Sequence, residues 1–472
     1  MSLATFRHRL STPHAADDLA AGLIGEGIMI PGPAGDVPLV YADYVASGRA
    51  LRQVEDFITT EVLPYYANSH TEASYCGARI TQLRADARAE IARLVNAGPD
   101  HEVIFAGAGA TAGLNRLVHL LGVQSAQNPV VFLGPYEHHS NILPWRESRA
   151  KVVEIPEAAE GGPDLVALDR ALRDHADADL KIGSFSAASN VTGIITNPAP
   201  VVATLKAHGA LSVWDFAGAG PYLPIDMAAG LDAAVVSPHK FPGGPGASGL
   251  FVVKKSVVRC ACPSWPGGGT VSFVSPWRHD YTDDLAAREE AGTPNVIGDI
   301  RAALVFLVKE AVGQAKIEAR EAQYGAMAAQ AWGGNAQITM LGADKAHRLP
   351  IFSLLIRDGA GTLVSPQLFT RLLSDLYGIQ ARGGCACAGP YGHRLLGIDR
   401  AESERIHDAL ASGQMVEKPG WTRLNFSYLM AEDTVRYILD SVSALVRDLD
   451  RWAPLYALDP ATGQYHACKN AA

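Results

Sequence analysis

Hydrophobic residues in the first two thirds of the chain fall into short continuous runs separated by longer segments with apolar residues at helical spacing. The short runs predict seven buried strands, at residues 103–105, 129–133, 151–155, 182–186, 211–215, 233–236 and 250–253. Helices are predicted between most of them, for example at residues 111–121, 165–175 and 201–208. Strands that are apolar throughout and alternate with helices predict an α/β fold with a mainly parallel seven-stranded sheet.

The pattern changes near residue 300, where a long helical stretch begins. A strand at 349–357 and helices at 365–377 and 432–449 then predict a second, smaller α/β unit, with a loop at 400–419. We therefore expect a large domain over residues 41–300 and a small C-terminal domain over 301–472. Residues 1–40 are expected to form an N-terminal extension that packs with the small domain.

Composition narrows the class of protein. The chain has 472 residues, of which 48% are hydrophobic and 19% charged, and its net charge is −9. A negative charge argues against nucleic acid and anionic membranes as partners, and no apolar run is long enough to span a bilayer. Since the N-terminus also lacks a signal-peptide core, we expect a cytoplasmic protein.

The six cysteines include two Cys-x-Cys pairs, at Cys260 and Cys262 and at Cys385 and Cys387. Six cysteines in a chain of this length are too few for a disulfide framework and fit an intracellular enzyme better. The spacing is also tighter than the Cys-x2-Cys to Cys-x4-Cys spacing of most zinc sites. We therefore expect no metal site.

The strongest chemical signal is the stretch Ser237-Pro-His-Lys240, which follows the predicted strand 233–236. An ammonium group at the end of a buried strand is costly to desolvate, unless the lysine is bonded to an aldehyde cofactor. Asp215 closes the preceding strand, where a carboxylate would keep the ring nitrogen of pyridoxal phosphate protonated. Both residues are predicted at carboxyl ends of parallel strands, where such sheets bind ligands. Taken alone, a Ser-x-His-Lys sequence is more typical of a surface lysine beside a turn.

Three further stretches are placed at strand ends. The glycine-rich segment from Ala106 to Thr111 leads into a helix and would suit a phosphate monoester. His138 lies in Glu137-His-His-Ser-Asn141 and could stack on a cofactor ring, and Asn190 lies in Ser189-Asn-Val-Thr-Gly193. Individually these segments are also typical of exposed loops and Asn/Gly turns.

Taken in order, these stretches resemble the class V aminotransferase family of fold-type I pyridoxal-phosphate enzymes, most of all the branch of cysteine desulfurases, selenocysteine lyases and molybdenum cofactor sulfurases. The resemblance spans roughly residues 40–450. The matching segments are Tyr41-x-Asp-x-x-Ala-Ser47, Asn68-Ser-His70, Gly109-Ala-Thr-Ala-Gly-Leu-Asn115, Glu137-His-His-Ser-Asn141, Ser189-Asn-Val-Thr-Gly193, Asp215, Ser237-Pro-His-Lys240, Gly267-Gly-Gly269, Glu290-Ala-Gly-Thr-Pro-Asn295 and Arg423-Leu-Asn-Phe-Ser427.

The resemblance implies pyridoxal 5'-phosphate as cofactor and a homodimer with shared active sites. Lys240 would bond covalently to the cofactor and move the substrate's α-proton. The remaining implied roles are pairing with the ring nitrogen (Asp215), stacking on the ring (His138), approach to the ring oxygen (Asn190), phosphate binding (Ala110, Thr111, Ser237, His239, and Thr293 from the second subunit), and binding of substrate (Arg423 at its α-carboxylate, with Arg382 and Asn190).

The segment Ala381-Arg-Gly-Gly-Cys-Ala-Cys-Ala-Gly-Pro390 bears on which reaction is catalysed. In the desulfurase branch a loop cysteine takes sulfur from substrate cysteine as a persulfide, and the pattern matches at Arg382 and Cys387. The resemblance thus implies conversion of L-cysteine or L-selenocysteine to L-alanine, with a possible sulfur-acceptor protein as partner. The alternatives are two buried, unreactive cysteines, and a C–S lyase, epimerase or aminotransferase acting on another amino acid.

Two positions depart from the family pattern. Gly218 stands in Asp215-Phe-Ala-Gly218 where the family has a glutamine that contacts the ring oxygen. Ala110 stands where the family often has a hydroxyl residue, so that only its backbone N–H is left for the phosphate.

Overall fold

The computed structural model describes residues 2–33, 35–69, 72–412, 419–459 and 462–468. The α-helices are α1 Leu3–Leu10, α2 Ala15–Ala21, α3 Arg52–Phe57, α4 Tyr75–Leu94, α5 Gly109–Leu120, α6 Leu143–Arg146, α7 Leu165–Asp174, α8 Pro198–Ala207, α9 Leu285–Glu289, α10 Val296–Val312, α11 Gln314–Trp332, α12 Pro366–Tyr377, α13 Gly389–Leu396, α14 Arg400–Ala411, α15 Glu432–Arg447 and α16 Leu449–Trp452. A π-helical turn lies at Ile58–Val62, and 3-10 turns lie at Leu63–Tyr65, His139–Asn141, Met227–Ala229, Pro238–Lys240, Lys255–Val257 and Ala453–Leu455.

The strands are numbered in chain order. They are β1 Met29–Gly32, β2 Gly35–Pro38, β3 Val40–Tyr41, β4 His101–Gly107, β5 Pro129–Leu133, β6 Lys151–Glu154, β7 Leu180–Ser186, β8 Leu211–Asp215, β9 Ala233–Val236, β10 Gly249–Lys254, β11 Val271–Val274, β12 His279–Tyr281, β13 Ile338–Met340, β14 Ile351–Ile356, β15 Ile379–Gln380, β16 Arg382–Gly384, β17 Trp421–Asn425, β18 Tyr456–Asp459 and β19 Gln464–Ala467.

Seven strands form one sheet in the order β4-β10-β9-β8-β7-β5-β6. The five strands from β9 to β6 are parallel, and β10 runs antiparallel to both of its neighbours. The predicted α/β class and the mainly parallel sheet are confirmed, and all seven predicted strands are present. Because β4 and β9 run in the same direction, the carboxyl ends of β4, β8 and β9 share one edge of the sheet.

Below this edge of the sheet, α5 and the strands that it covers contact each other through apolar residues. Helix α5 packs on β4, β9 and β10, and Leu114, Val235 and Phe251 at this contact are fully buried. Gly113 permits the close packing, since a Cβ there would lie 3.0 Å from Val235 Cγ1. The first turn of α5 is thereby held at the edge where the strands end.

A second unit contains the antiparallel sheet β13-β14-β17-β16. Helix α12 packs on β14, β16 and β17 and on α15. The buried side chains of this core include Phe352, Phe369, Leu372, Leu424 and Val442. The predicted smaller α/β unit is therefore present, with an antiparallel sheet.

The boundaries of the two units differ from the predicted domains. The first unit comprises Met1–Ile24, Ala46–Ala188 and Ile195–Lys316, and the second comprises Gly25–Val45, Ser189–Ile194 and Ile317–Ala472. The predicted extension is thus divided. Helices α1 and α2 pack against α10 of the first unit, whereas β3 pairs in parallel with β15 inside the second unit.

The predicted loop at residues 400–419 is partly helical. Residues 400–411 of the predicted loop form α14, capped by the Asp399 side chain, which accepts a hydrogen bond from the Glu402 N–H; residues 413–418 lie outside the described residues. Among the described residues, no helix is both long and apolar enough to cross a bilayer.

Candidate active site

The first unit places a helix N-terminus beside the predicted Ser-x-His-Lys segment. The N–H of Ala110, in the first turn of α5, donates to Ser237 Oγ at 2.9 Å. Gly109 has φ +61°, and a Cβ at this position would come within 2.9 Å of both Ser237 Oγ and His239 Cε1. Only glycine brings the helix N-terminus this close to the two side chains. The result is a cradle of backbone N–H groups, a hydroxyl and an imidazole that can bind an anion.

His239 contributes to this cradle as a neutral ring. Burial, with the nearby Lys240 cation, lowers the pKa of His239 to about 4. The imidazole is therefore uncharged near neutral pH and can donate one hydrogen bond to an anion without adding a positive charge.

A hydrogen-bond chain leads from α5 to His138. Thr111 Oγ1 and Ser140 Oγ lie 2.7 Å apart, and Ser140 Oγ lies 3.0 Å from His138 Nδ1. The Ser140 N–H donates to the same Nδ1 at 3.1 Å, so that in the neutral ring the proton resides on Nε2. Ser140 thus orients His138 and joins it to Thr111.

Asp215 and Lys240 are oppositely charged groups of the first unit that interact electrostatically. Asp215 is 4% exposed at the carboxyl end of β8, and its Oδ1 accepts the Ala217 N–H at 2.7 Å. Burial raises the pKa of Asp215, and the Ala217 N–H and the Lys240 cation act in the opposite direction. A carboxylate in this environment favours a cationic partner.

Glu137 is a second buried carboxylate in the same region. Its side chain accepts hydrogen bonds from the Ser186 N–H at 2.8 Å, from Ser186 Oγ at 2.7 Å and from Asn141 Nδ2. Burial raises the pKa of Glu137 to about 7, and the negative charge of Asp215 adds to the increase. Glu137 therefore anchors its loop to the end of β7 and titrates near neutral pH.

Arg423 of the second unit is a buried cation with an unused donor. It is 4% exposed on β17, where Nη2 donates to Asp43 Oδ1 at 2.8 Å and Nη1 donates to the Asn190 carbonyl at 3.1 Å. Its Nε is buried without a hydrogen-bond partner among the described residues. Burial lowers the pKa of Arg423, and Asp43 partly restores it. A substrate carboxylate is the kind of acceptor to which this Nε–H could donate.

Arg382 lies directly opposite Arg423 in the β16–β17 pair. Its Nε donates to Asp43 Oδ2 at 2.9 Å, while half of its side chain is exposed. One carboxylate thus bridges the two guanidinium groups.

The Cys-x-Cys segment forms a tight turn in the second unit. The Ala388 N–H donates to the Cys385 carbonyl at 3.2 Å, and Ala386 and Cys387 have φ +52° and +55°. A four-residue turn with positive φ at both central positions is a type I′ turn. Both cysteines are exposed, and Asn190 Nδ2 donates to the Ala386 carbonyl at 2.9 Å. The alternative of two buried cysteines is therefore wrong.

The structure thus groups the predicted residues in two sets. The first unit gathers Ala110, Thr111, His138, Asp215, Ser237, His239 and Lys240, and the second gathers Asn190, Arg382, Cys385, Cys387 and Arg423. Thr293 is exposed in the connection between α9 and α10. His70 of the predicted Asn-Ser-His motif lies outside the described residues.

Pyridoxal phosphate fits the first set by two observations. The Gly109 cradle would be filled by a single Cβ, which is the close approach that a phosphate requires. Asp215 is a buried carboxylate whose raised pKa calls for a cation, and a protonated pyridine nitrogen supplies one.

Three residues of this arrangement were not assigned roles from the sequence, namely Asp43, Glu137 and Ser140. Each lies inside a segment that carries the family resemblance, but the resemblance gave none of the three a role. Their functions depend on partners that only the folded chain provides, at separations of 380 residues for Asp43 with Arg423 and 49 for Glu137 with Ser186.

Comparison with known proteins gives the family of the chain. A family model described as Aminotransferase class-V matches residues 40–406. A probable cysteine desulfurase of Vibrio cholerae serotype O1 is 30% identical over 360 residues, 75% of this chain and 85% of the relative. A cysteine desulfurase of Enterobacter sp. strain 638 is 30% identical over 363 residues, with the same shares covered.

Solved structures share the fold. An apo cysteine desulfurase from Thermococcus onnurineus NA1 superposes with a TM-score of 0.72 at 23% identity, covering 89% of this chain and 99% of that one. A cysteine desulfurase from Escherichia coli gives a TM-score of 0.68 at 21% identity, covering 95% and 99%. With a family model spanning most of its length and this fold, the chain belongs to the class V aminotransferase family.

Proposed function

We propose that the protein is a pyridoxal-phosphate-dependent cysteine desulfurase that converts L-cysteine, or L-selenocysteine, to L-alanine and holds the released sulfur on Cys387. The observation that carries the proposal is the position of Asn190. Its carbonyl accepts from Arg423 Nη1, and its side-chain amide donates to the Ala386 carbonyl of the cysteine turn. One residue therefore fixes the candidate carboxylate-binding arginine and the candidate nucleophile with respect to each other.

Residues of the first unit are assigned to the cofactor. Pyridoxal phosphate supplies an electron sink that stabilises negative charge developing at the substrate α-carbon. The first turn of α5, with Thr111, Ser237 and His239, binds the phosphate group, and Thr293 of a second copy completes that site. Asp215 keeps the ring nitrogen protonated. Lys240 bonds to the cofactor at rest and moves the substrate proton at Nζ.

His138 is assigned to the ring face. Its Nδ1 accepts a hydrogen bond from the Ser140 N–H, which fixes the plane of the imidazole and places the proton of the neutral ring on Nε2. If His138 lost this orientation, the reaction would be slower, but Lys240 could still bond to the cofactor and move the substrate proton.

Residues of the second unit are assigned to the substrate. Arg423 binds the α-carboxylate, and its Nε donor makes a charge-assisted hydrogen bond that is otherwise unmade. Arg382 shares the Asp43 carboxylate with Arg423 and adds positive charge on the exposed side of that contact. The Cys387 thiolate attacks the substrate sulfur, and an S–S bond forms as the substrate Cβ–S bond breaks and leaves its electron pair on the carbon skeleton that becomes alanine. This attack requires an exposed and adaptable side chain.

The relatives support the reaction class, because two of them at 30% identity are named cysteine desulfurases. All six cysteines of this chain are free thiols, which agrees with a reducing compartment such as the cytoplasm.

We also propose that two copies of the chain form the active dimer. Large apolar side chains are exposed around the hairpin β11–β12, with Trp277 89% and Val274 67% exposed. Exposed apolar patches of this kind mark association surfaces. Light scattering should give twice the chain mass, and Trp277→Ser should shift the protein toward the monomer; a monomeric wild type would refute the dimer.

The deciding experiment incubates the purified, cofactor-loaded protein with L-cysteine and measures alanine, sulfide and protein persulfide together. A desulfurase forms alanine and, for each alanine, one sulfur that is found either as a persulfide on Cys387 or as released sulfide. Cys387→Ala should keep the visible absorbance of the bound cofactor and lose sulfur transfer, whereas Lys240→Ala should lose that absorbance. Pyruvate and ammonia in place of alanine would make the protein a C–S lyase, and the proposal would fail.

A further inference from the structure

The cysteine turn carries two thiols where sulfur transfer needs one. Cys385 and Cys387 occupy the first and third positions of the type I′ turn and are both exposed. The desulfurase reaction proposed above assigns a role to Cys387 alone. Cys385 is therefore a nucleophilic group without an assigned function.

The backbone of this turn is held in an unfavourable conformation. Type I′ turns are normally built from Asn-Gly or Gly-Gly, because both central residues need positive φ. Here the central residues are Ala386 and Cys387, and each non-glycine residue in this region costs about 1–2 kcal/mol. The hydrogen bond from Asn190 Nδ2 to the Ala386 carbonyl holds the turn in place. Strain retained by a dedicated contact is typical of functional sites.

The conformation has a geometric consequence. Left-handed φ at Ala386 folds the chain so that the Cα atoms of the two cysteines lie about 5.5 Å apart, as residues two apart do in a helical turn. Disulfides span Cα separations of about 4.4–6.8 Å. An extended Cys-x-Cys segment would hold the two Cα atoms near the upper end of that range or beyond it. The turn thus presents the cysteines as a pair that can be bridged.

We infer that Cys385 is a resolving thiol, which discharges the persulfide of Cys387 as sulfide; this inference rests on the proposed function. The Cys385 thiolate attacks Cys387 Sγ, and an Sγ–Sγ bond forms as the bond from Cys387 Sγ to the terminal sulfur breaks. The terminal sulfur leaves with the bonding electrons as hydrosulfide, and the Cys385 proton passes to solvent. The sulfane sulfur is reduced and the two thiols are oxidised to a disulfide, so no other oxidant takes part.

A thiol reductant then restores the dithiol for the next cycle. A disulfide closed across a single intervening residue is strained, and strained, exposed disulfides are readily reduced. The pair therefore releases inorganic sulfide to solvent without a dedicated sulfur-acceptor surface, and small thiols or a dithiol protein serve only to reduce the disulfide.

The test is a single anaerobic turnover of the loaded protein with L-cysteine, without reductant, followed by alkylation and mass spectrometry of the peptide that contains both cysteines. Wild type should release sulfide and yield a peptide lighter by two hydrogen atoms. Cys385→Ser should form alanine and keep the sulfur on Cys387, with about tenfold more persulfide than wild type. Cys262→Ser, at the other Cys-x-Cys pair, is the matched control and should behave as wild type.

A second arm separates failure of the inference from failure of the proposed function. The thiol form of the protein is treated anaerobically with inorganic polysulfide, which loads sulfane sulfur without the cofactor chemistry. Disulfide formation in wild type but not in Cys385→Ser upholds the resolving role even when L-cysteine yields no alanine. Equal persulfide on Cys387 in both proteins, or sulfur transferred to Cys385 and retained there, would overturn it.

Discussion

Arg382 and Arg423 lie directly opposite each other on neighbouring strands, and the carboxylate of Asp43 accepts a hydrogen bond from each, at 2.9 and 2.8 Å. Like charges at directly opposed positions of neighbouring strands repel each other. Arg423 is also buried, with 4% of its surface exposed. Asp43 therefore stabilises the arrangement on which the proposed carboxylate site depends. It brings a segment near the N-terminus into the chemistry of the C-terminal sheet.

Asp43→Asn should weaken both stability and substrate binding. Arg423 would keep a buried charge without a compensating anion, so the free energy of unfolding should fall by about 3 kcal/mol. KM for L-cysteine should rise more than kcat falls, because the guanidinium is positioned less well in the ground state. Urea denaturation and steady-state kinetics measure the two effects. Asp36→Asn, at an exposed position on β2 of the same unit, is the control, and equal losses in both variants would contradict the role of the Asp43 bridge.

Replacing Ala386 by glycine should stabilise the protein. Glycine adopts φ +52° without the steric cost that alanine has there, although it also increases the entropy of the unfolded chain. We expect a net gain of about 1 kcal/mol in the free energy of unfolding.

The control for this change is Ala388→Gly, two residues further along. Ala388 has φ −126° and is fully buried, so that glycine there removes a packed methyl group and relieves no strain. Thermal unfolding should therefore shift upward for Ala386→Gly and downward for Ala388→Gly. A lower melting temperature for both variants would show that the turn is not strained.

The strands could be predicted from the sequence, and several polar residues could be located at their ends, because both leave local signals. Buried parallel strands appear as continuous apolar runs, and Asp215 and Ser237 stand where such runs stop. Polar residues at strand ends can therefore be located before the fold is known.

Pairing between residues that are far apart in the chain explains the domain boundary that the sequence did not predict. Residues 25–45 belong to the second unit because β3 pairs with β15, more than 300 residues away in sequence. The Asp43 bridge depends on the same long-range closure. The turn at Cys385 lacks the Asn-Gly signature that announces positive φ, so its conformation was visible only in three dimensions.

Gly109→Ala should reduce cofactor affinity. The added methyl group would come within 2.9 Å of Ser237 Oγ and His239 Cε1, at a position with φ +61°. It would therefore obstruct the candidate phosphate cradle and strain the backbone. We expect at least tenfold weaker binding of pyridoxal phosphate, equivalent to about 1.4 kcal/mol, measured by titration of the cofactor into stripped protein.

Gly107→Ala is a matched control, because Gly107 also has positive φ, at +83°, but a Cβ there meets nothing within 4 Å. Both variants should lose a similar amount of stability from backbone strain. Only Gly109→Ala should bind the cofactor more weakly, and a similar loss of affinity in Gly107→Ala would remove the cradle as the cause.

Glu137 should make stability decrease as the pH rises. Burial raises its pKa in the folded protein to about 7, above the value of about 4.3 expected in the unfolded chain. Between these values the folded state holds a proton that the unfolded state has lost. Its contribution is therefore full below about pH 4 and is lost as the pH rises through 7, by at most about 4 kcal/mol.

Glu137→Gln should remove this dependence, because the amide cannot ionise. The glutamine side chain would keep an acceptor for the Ser186 N–H, and the hydrogen bonds to Ser186 and Asn141 would be only partly lost. Urea denaturation from pH 5 to pH 8 should show wild type losing stability relative to the variant across this range. A constant difference between the two proteins would mean that Glu137 keeps an ordinary carboxyl pKa, with its buried hydrogen bonds outweighing desolvation.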